Sequence, residues 1–283
     1  MCGEMGFLVV PKEPLGEYIK IYLAQAADEE IRRRRVGSGG AVTAFLIYLL
    51  ESGYVDAVLT AKRVEGLKGK IQLARTREEI LEAAGNRWNV VPYTQELGEA
   101  LSSADVRKVA IVGLPCQAQF LGQVRLMPLM ESDFSDKIGV VISLFCFGTF
   151  ATDAFLAYIE REFGLKPEDI TSVALRGENI VIVGGGRKFT VPIKSVLHYI
   201  QHGCLVCPDY TGIFADLSAG ISEAHLGYTV LIVRNEEVDR LLHEASGRGY
   251  LRLEPAPPDV FEELEMKAEA KKSRALKYIS MIA

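Results

Sequence analysis

Four cysteines are the residues of this sequence best suited to chemistry. Cys204 and Cys207 stand three apart in His202-Gly203-Cys204-Leu205-Val206-Cys207-Pro208-Asp209-Tyr210, whereas Cys116, in Leu114-Pro115-Cys116-Gln117, and Cys146, in Leu144-Phe145-Cys146-Phe147-Gly148, are singles. A dithiol redox pair would need only Cys204 and Cys207, after a strand and at the opening of a helix. Structural zinc usually draws on two paired knuckles, and here two ligands would be isolated. An iron–sulfur cluster tolerates scattered ligands, and the apolar flanks Leu114, Phe145 and Phe147 would keep it dry, although the compact ferredoxin run of repeated Cys-x-x-Cys steps is absent. Plain buried thiols are the fourth reading. The fifth cysteine, Cys2, lies near the N-terminus and carries no signal. An odd count in a reducing compartment argues for ligands or reactive thiols over a disulfide framework.

A second set of residues suits an anion. Arg32-Arg33-Arg34-Arg35 precede Gly37-Ser38-Gly39-Gly40, and an apolar helix follows from Ala41 through Val42 and Thr43. Glycines admit a ligand close to the backbone, and a helix start offers amides to a phosphate. The bland alternative is Ser38 as an ordinary N-cap beside a solvated basic run. The stretch is not a Walker A loop, since no Lys-Ser/Thr follows the glycines. A third polar knot, Gly85-Asn86-Arg87-Trp88, holds the one tryptophan, as simple packing or as a flavin contact. His198 and His202 have the spacing of two imidazoles on one helix face, which reads as a solvated or hydrogen-bonded pair before a ligand pair. Asp209, Tyr210 and Asp216 follow the Cys pair.

These residues need elements to hold them. Strand signals at Val55–Ala61, Lys108–Gly113, Ile138–Phe145 and Tyr228–Arg234 alternate with helix signals at Ala41–Ser52, Arg77–Ala84, Gln95–Ala104, Thr152–Phe163 and Glu236–Ala245. A small meander is expected around Gly184-Gly185-Gly186, then a short helix Ile193–Gln201 leading into the Cys pair. The tail from Asp259 to Tyr278 alternates Glu and Lys as a solvated helix does. The fold class is mixed α/β, with mixed sheets and flanking helices. Cys116 and Cys146 then sit past the carboxyl ends of strands, where such sheets commonly place sites. The whole of 1–283 reads as one unit, divisible into a smaller N-terminal portion, 1–105, and a larger portion, 106–283. Of 283 residues, 49% are hydrophobic and 24% charged, with a net charge of −5. That is ordinary for a globular protein and implies no general affinity for nucleic acid. No apolar run reaches a membrane span and no signal-peptide pattern opens the chain, so a cytoplasmic protein is expected.

In order, GSGGAVTAFLIYLLESGYVDAVL, AAGNRW, VGLPCQAQFL, LFCFGTF and HGCLVCPDYTGIFADLSAG resemble the beta subunit of coenzyme F420-reducing hydrogenase. The beta subunit of F420-dependent formate dehydrogenase and the input subunit of F420H2 dehydrogenase are its relatives. The resemblance runs from about Gly37 to Arg234 and implies an oxidoreductase with one FAD and one [4Fe-4S] cluster, with coenzyme F420 as substrate. It implies Cys116, Cys146, Cys204 and Cys207 as cluster ligands. The helix start Ser38, Gly39, Gly40, Val42 and Thr43, the knot Gly85, Asn86, Arg87 and Trp88, and Arg176 and Asp216 are implied as cofactor contacts. It further implies a hetero-oligomer with hydrogenase or formate dehydrogenase large and small subunits. Relatives often carry Gly-Lys-Gly near Arg176-Gly177, where this chain continues Glu178-Asn179. That departure keeps NAD(P)H or a protein redox partner in view as the second carrier, with Arg176, Arg187 or Lys188 supplying positive charge. A zinc-stabilised assembly protein with no catalysis is the remaining alternative.

Overall fold

The computed structural model describes residues 12–33, 38–65, 68–85, 91, 93, 97–98, 101, 105–126 and 135–282. Strands β1 (Lys20–Ala26), β2 (Ala57–Glu65), β3 (Lys68–Ala74), β4 (Val109–Gly113) and β5 (Ile138–Leu144) combine with β9 (Leu217–Gly220), β10 (Thr229–Val233) and β11 (Leu251–Pro255). They form one eight-stranded sheet in the order β11-β1-β10-β9-β5-β4-β2-β3. The central strands β2, β4, β5 and β9 run parallel, and the flanking pairs are antiparallel. Every residue of β4 and β10 is buried, as expected of strands covered on both faces.

Successive side chains of a strand point to opposite faces, and two cores result. On one face, α2 (Ala41–Glu51), α3 (Arg77–Ala83) and α7 (Glu236–Gly247) pack over Val58, Ala110, Val140, Ile142 and Leu231. On the other, α4 (Pro115–Leu126) covers Leu59, Ile111 and Val141, and α8 (Pro258–Ile282) covers Ile21, Leu23, Val230 and Ile232. The short α1 (Glu29–Arg33) precedes α2. Capping fixes where the helices begin. Thr76 and Glu79 form a capping box on α3, and Asn235 accepts from the amides of Glu237 and Val238 on α7.

Between β5 and β9 the chain leaves the sheet and builds a smaller body. Strands β6 (Ile170–Arg176), β7 (Asn179–Gly184) and β8 (Arg187–Pro192) form an antiparallel meander, as expected from the sequence. Helix α5 (Thr152–Phe163) packs on it, with Phe155 stacked on Phe150 at 4.1 Å. Arg63 of β2 anchors this body by donating to the carbonyls of Thr171 (2.9 Å) and Ile170. The chain returns through α6 (His202–Leu205).

Two expectations are corrected here. Ile193–Gln201 is not a helix but two 3-10 turns, Ile193–Ser195 and Leu197–Tyr199, because Ile200 is extended to bridge Phe150. His198 and His202 therefore share no helix face. The tail helix is not merely solvated, since Val260, Leu264, Ala268, Lys271 and Ala275 are buried along one stripe. The expected helix Gln95–Ala104 lies mostly outside the described residues. No helix among the described residues is long and apolar enough to cross a membrane.

Candidate functional site

Strand register collects the candidate residues along one edge. Leu144 of β5 pairs with Ala219 of β9, Gly220 with Val230 of β10, and Thr229 of β10 with Ala24 of β1. The carboxyl ends of β4, β5, β9 and β1 thus share an edge. Cys116 lies in the first turn of α4, just past β4, and Cys146 lies two residues past β5. The segment with Cys204 and Cys207 is stitched to the loop after β5. The Cys146 amide donates to the Tyr210 carbonyl (2.9 Å), and the Gln201 amide to that of Thr149 (2.9 Å). The Thr149 hydroxyl lies 3.4 Å from the Cys204 sulfur. Asp209 holds the following turn by accepting from the amides of Gly212 (2.7 Å) and Ile213 (3.0 Å).

The four thiols lie within electrostatic reach of one another. Burial pushes the Cys116 thiol up to about 12, and the thiols of Cys146, Cys207 and Cys204 raise it further. Cys116 still keeps solvent-accessible surface, so its rise reflects the packing beneath it and the neighbouring sulfurs. Cys146 is pushed up to about 11, chiefly by burial, against the lowering influence of the Lys271 ammonium and of a hydrogen bond from the Gly148 amide. Tyr210, whose ring tilts against Phe145 at 5.4 Å, is raised by burial and stays a neutral phenol. Among the described residues, no three His, Cys, Asp or Glu side chains close to single-ion spacing. Tetrahedral zinc would need four sulfurs about 2.3 Å from one centre. The donor set is four thiols, with Phe145 and Phe147 flanking Cys146. That chemistry fits a cluster, whose iron would be bound through thiolates.

Two cations from α8 enter this site. Lys271 Nζ donates to the carbonyls of Cys146 and Asp209 (2.6 Å each), and Arg274 Nη2 donates to those of Phe147 (2.7 Å) and Cys204 (3.2 Å). Sequence reasoning missed both residues, and the only signal for them is the stripe of buried positions on which Lys271 lies.

The glycine-led helix start lies farther along the same edge. Gly40, at φ 71°, is the N-cap of α2 and provides no side-chain cap, so Ser38 is not the cap. A Cβ at Gly39 would collide with the Ala24 carbonyl oxygen and meet the Thr229 nitrogen at 2.9 Å. The close approach here is therefore between helix and sheet. Thr43 is buried and Val42 half-buried in the first turn, and the Thr229 hydroxyl meets the Ala41 amide at 3.4 Å. Of the arginine run, Arg32 donates to the carbonyls of Ala26 and Ala27, and Arg33 pairs with Glu29. An uncapped helix start is the kind of position that suits a phosphate. A cavity of ≈ 270 Å³ opens beside α2 between Asp28, Glu51, Arg77 and Arg248. Its Arg77 is already paired with Asp28 at 2.7 Å and with Glu51 at 3.6 Å.

The other expected contacts scatter. Gly85 follows α3 with φ 124°, and Asn86, Arg87 and Trp88 lie outside the described residues, as does Cys2. Arg176 ends β6 beside Gly177, whose amide donates to the Glu223 carboxylate (3.0 Å). Asp216 is buried, and its carboxylate is engaged within the protein. It accepts from Arg125 (3.0 and 2.7 Å), the Val141 amide (2.7 Å) and Asn235 (3.2 Å).

Two family models match the chain. Residues 21–97 match the N-terminal model of the coenzyme F420 hydrogenase/dehydrogenase beta subunit, and residues 106–259 match the model of its C terminus. The coenzyme F420 hydrogenase subunit beta of Methanosarcina barkeri is 31% identical over 245 residues, covering 85% of this chain and 83% of that protein. The F420-dependent formate dehydrogenase subunit beta of Methanocaldococcus jannaschii is 29% identical over 240 residues, covering 83% and 62%. A chain of the F420-reducing [NiFe] hydrogenase complex from Methanosarcina barkeri superposes with a TM-score of 0.87 at 27% identity, covering 96% of this chain and 95% of that one.

Proposed function

This chain belongs to the coenzyme F420 hydrogenase/dehydrogenase beta subunit family, and from that premise we propose that it is the subunit through which an oxidoreductase complex exchanges electrons with coenzyme F420. Its partners are hydrogenase- or formate dehydrogenase-type subunits in a hetero-oligomer. Cys116, Cys146, Cys204 and Cys207 hold a [4Fe-4S] cluster. Ser38, Gly39, Gly40, Val42 and Thr43, with the Gly85 to Trp88 loop, hold FAD. When bound, FAD interconverts the hydride equivalent of F420 and the single electrons that the cluster carries. The observation that carries the reading is the gathering of four mutually interacting thiols from three segments at one sheet edge. The chain's residues orient and insulate. Phe147 packs in the same apolar cluster as Cys204 and Phe145 beside Tyr210, and the bonds from Cys146 to Tyr210 and from Gln201 to Thr149 hold the two ligand segments together.

One observation favours a second carrier. The β6–β7 turn presents Glu178, and its Gly177 amide is taken by the Glu223 carboxylate. Acidic groups there, even paired with Lys194 and Lys267, would oppose an anionic deazaflavin and equally the phosphates of NAD(P)H, so of the two alternative carriers the turn speaks for a redox protein. Anaerobic purification, with iron, sulfide, zinc and flavin measured on one sample, tests the main reading. It expects about four irons, four sulfides and one FAD per chain. Zinc without flavin would instead favour a structural assembly protein. Parallel assays with F420 and with the nicotinamides then decide the carrier.

A further inference from the structure

The last helix brings two cations, one turn apart, onto the thiol site, and each bridges the same two segments. Lys271, only 3% exposed, bonds the Cys146 carbonyl on one side and the Asp209 carbonyl, two residues beyond Cys207, on the other. Arg274 bonds the Phe147 carbonyl on one side and the Cys204 carbonyl on the other, with its guanidinium 4.4 Å from the centre of the Phe147 ring. Neutral donors would serve as well for bonds to carbonyl oxygens. The neighbours Lys267 and Lys272 pair with Glu263 and Glu269, yet among the described residues Lys271 and Arg274 form no ion pair with a carboxylate. Arg274 Nε and Nη1 are buried with no hydrogen-bond partner. The acidic groups that reach Arg274 are the sulfurs of Cys204, Cys207 and Cys146, which become anionic only as thiolate ligands, and the Tyr278 hydroxyl. A buried charge without a counter-charge is costly, and here the thiols are what stands opposite.

We propose that Lys271 and Arg274 are built-in counter-charges of the thiolate-ligated cluster, clasping its two ligand segments and raising its reduction potential. This inference rests on the cluster reading of the four cysteines. Reduction adds negative charge to the cluster, and a fixed cation nearby in a low-dielectric setting stabilises the reduced form more than the oxidised one. Arginine stays charged at any physiological pH. Both are positioning residues that act through the cluster.

The test uses the full chain in its complex, purified anaerobically, with iron per chain and the cluster midpoint potential by EPR-monitored titration as readouts. In Arg274→Gln the midpoint should fall below that of the parent, read on the loaded fraction, while Arg274→Lys should stay within replicate scatter of the parent. Lys271→Met should lower the midpoint in the same direction. Unchanged midpoints in both Arg274→Gln and Lys271→Met overturn the proposal. So does loss of iron from both Arg274 variants while the parent loads, because the guanidinium would then be scaffolding rather than charge. A parent chain that binds no iron overturns the cluster reading itself and is told apart by that first measurement.

Discussion

At the scale of single residues, the metal-free thiols set a pH dependence. Cys116 and Cys146 are pushed up to about 12 and about 11, burial being the first cause in both. An unfolded thiol titrates near about 8.5, so the folded chain holds these protons more tightly than the unfolded one. The stability they contribute is complete below that pH and is lost as the pH rises through the folded values. Metal-free protein should therefore melt at a lower temperature near pH 10.5 than near pH 8, roughly in the window given by linkage. Cys146→Ser should narrow the gap, and an identical gap in that variant would refute the assignment. On the cluster reading, loading would displace the same protons and release acid. Asp216 makes a second prediction. Its oxygens serve Arg125, Val141 and Asn235, so Asp216→Asn should cost roughly 1–3 kcal/mol in urea denaturation, with the spectrum of the loaded chain unchanged. A changed spectrum at unchanged stability would instead return Asp216 to the cofactor. The cysteines are legible in the sequence because the residue type itself states the chemistry. Lys271 and Arg274 are not, because their partners are loop carbonyls, which leave no pattern in a sequence.

At the scale of elements, apolar β4, β5 and β10 and amphipathic α5 and α7 are evident from periodicity. Strands β1 and β9 are not. In β1 the buried run from Ile21 to Ala24 lacks alternation. β9 is Leu217-Ser218-Ala219-Gly220, small because the Phe145 ring lies against Gly220 at a distance that leaves no room for a Cβ. Pro115 and Cys116 open α4 directly after β4, in keeping with proline's tolerance in a first helical turn. The α8 stripe Val260, Leu264, Ala268, Lys271 and Ala275 has helical spacing but is hidden in the sequence by surrounding charge. The junction of α2 with the sheet gives a prediction at this scale. Gly39→Ala places a methyl against two backbone atoms, which cannot yield as a side chain can. It should cost about 1–3 kcal/mol by overpacking, seen as a lower urea midpoint, and should lower flavin content in parallel. Wild-type stability in this variant would mean that helix and sheet can part there without cost.

At the scale of the whole molecule, one sheet carries both candidate cofactor positions on one edge, and a smaller body inserted between β5 and β9 delivers two of the four thiols. Relative placement of the two bodies therefore decides whether the thiol set closes. Arg63 is one of the anchors, through the Ile170 and Thr171 carbonyls. Arg63→Ala should speed amide exchange in β6 and β7 while leaving β4 and β10 protected, and uniform exchange across all four strands would count against this anchoring. The clasp by α8 also has a consequence for how the protein is made. The chain leaves the ribosome amino end first at about 5–20 residues per second, so all four cysteines emerge before Lys271 and Arg274 exist. For some seconds the cage stands open on the side that the last helix will cover. On the cluster reading, iron and sulfide would have their widest entrance during that interval, or later in any intermediate whose final helix is undocked. Docking of that helix closes the door behind the cargo, so the order of translation is also an order of assembly.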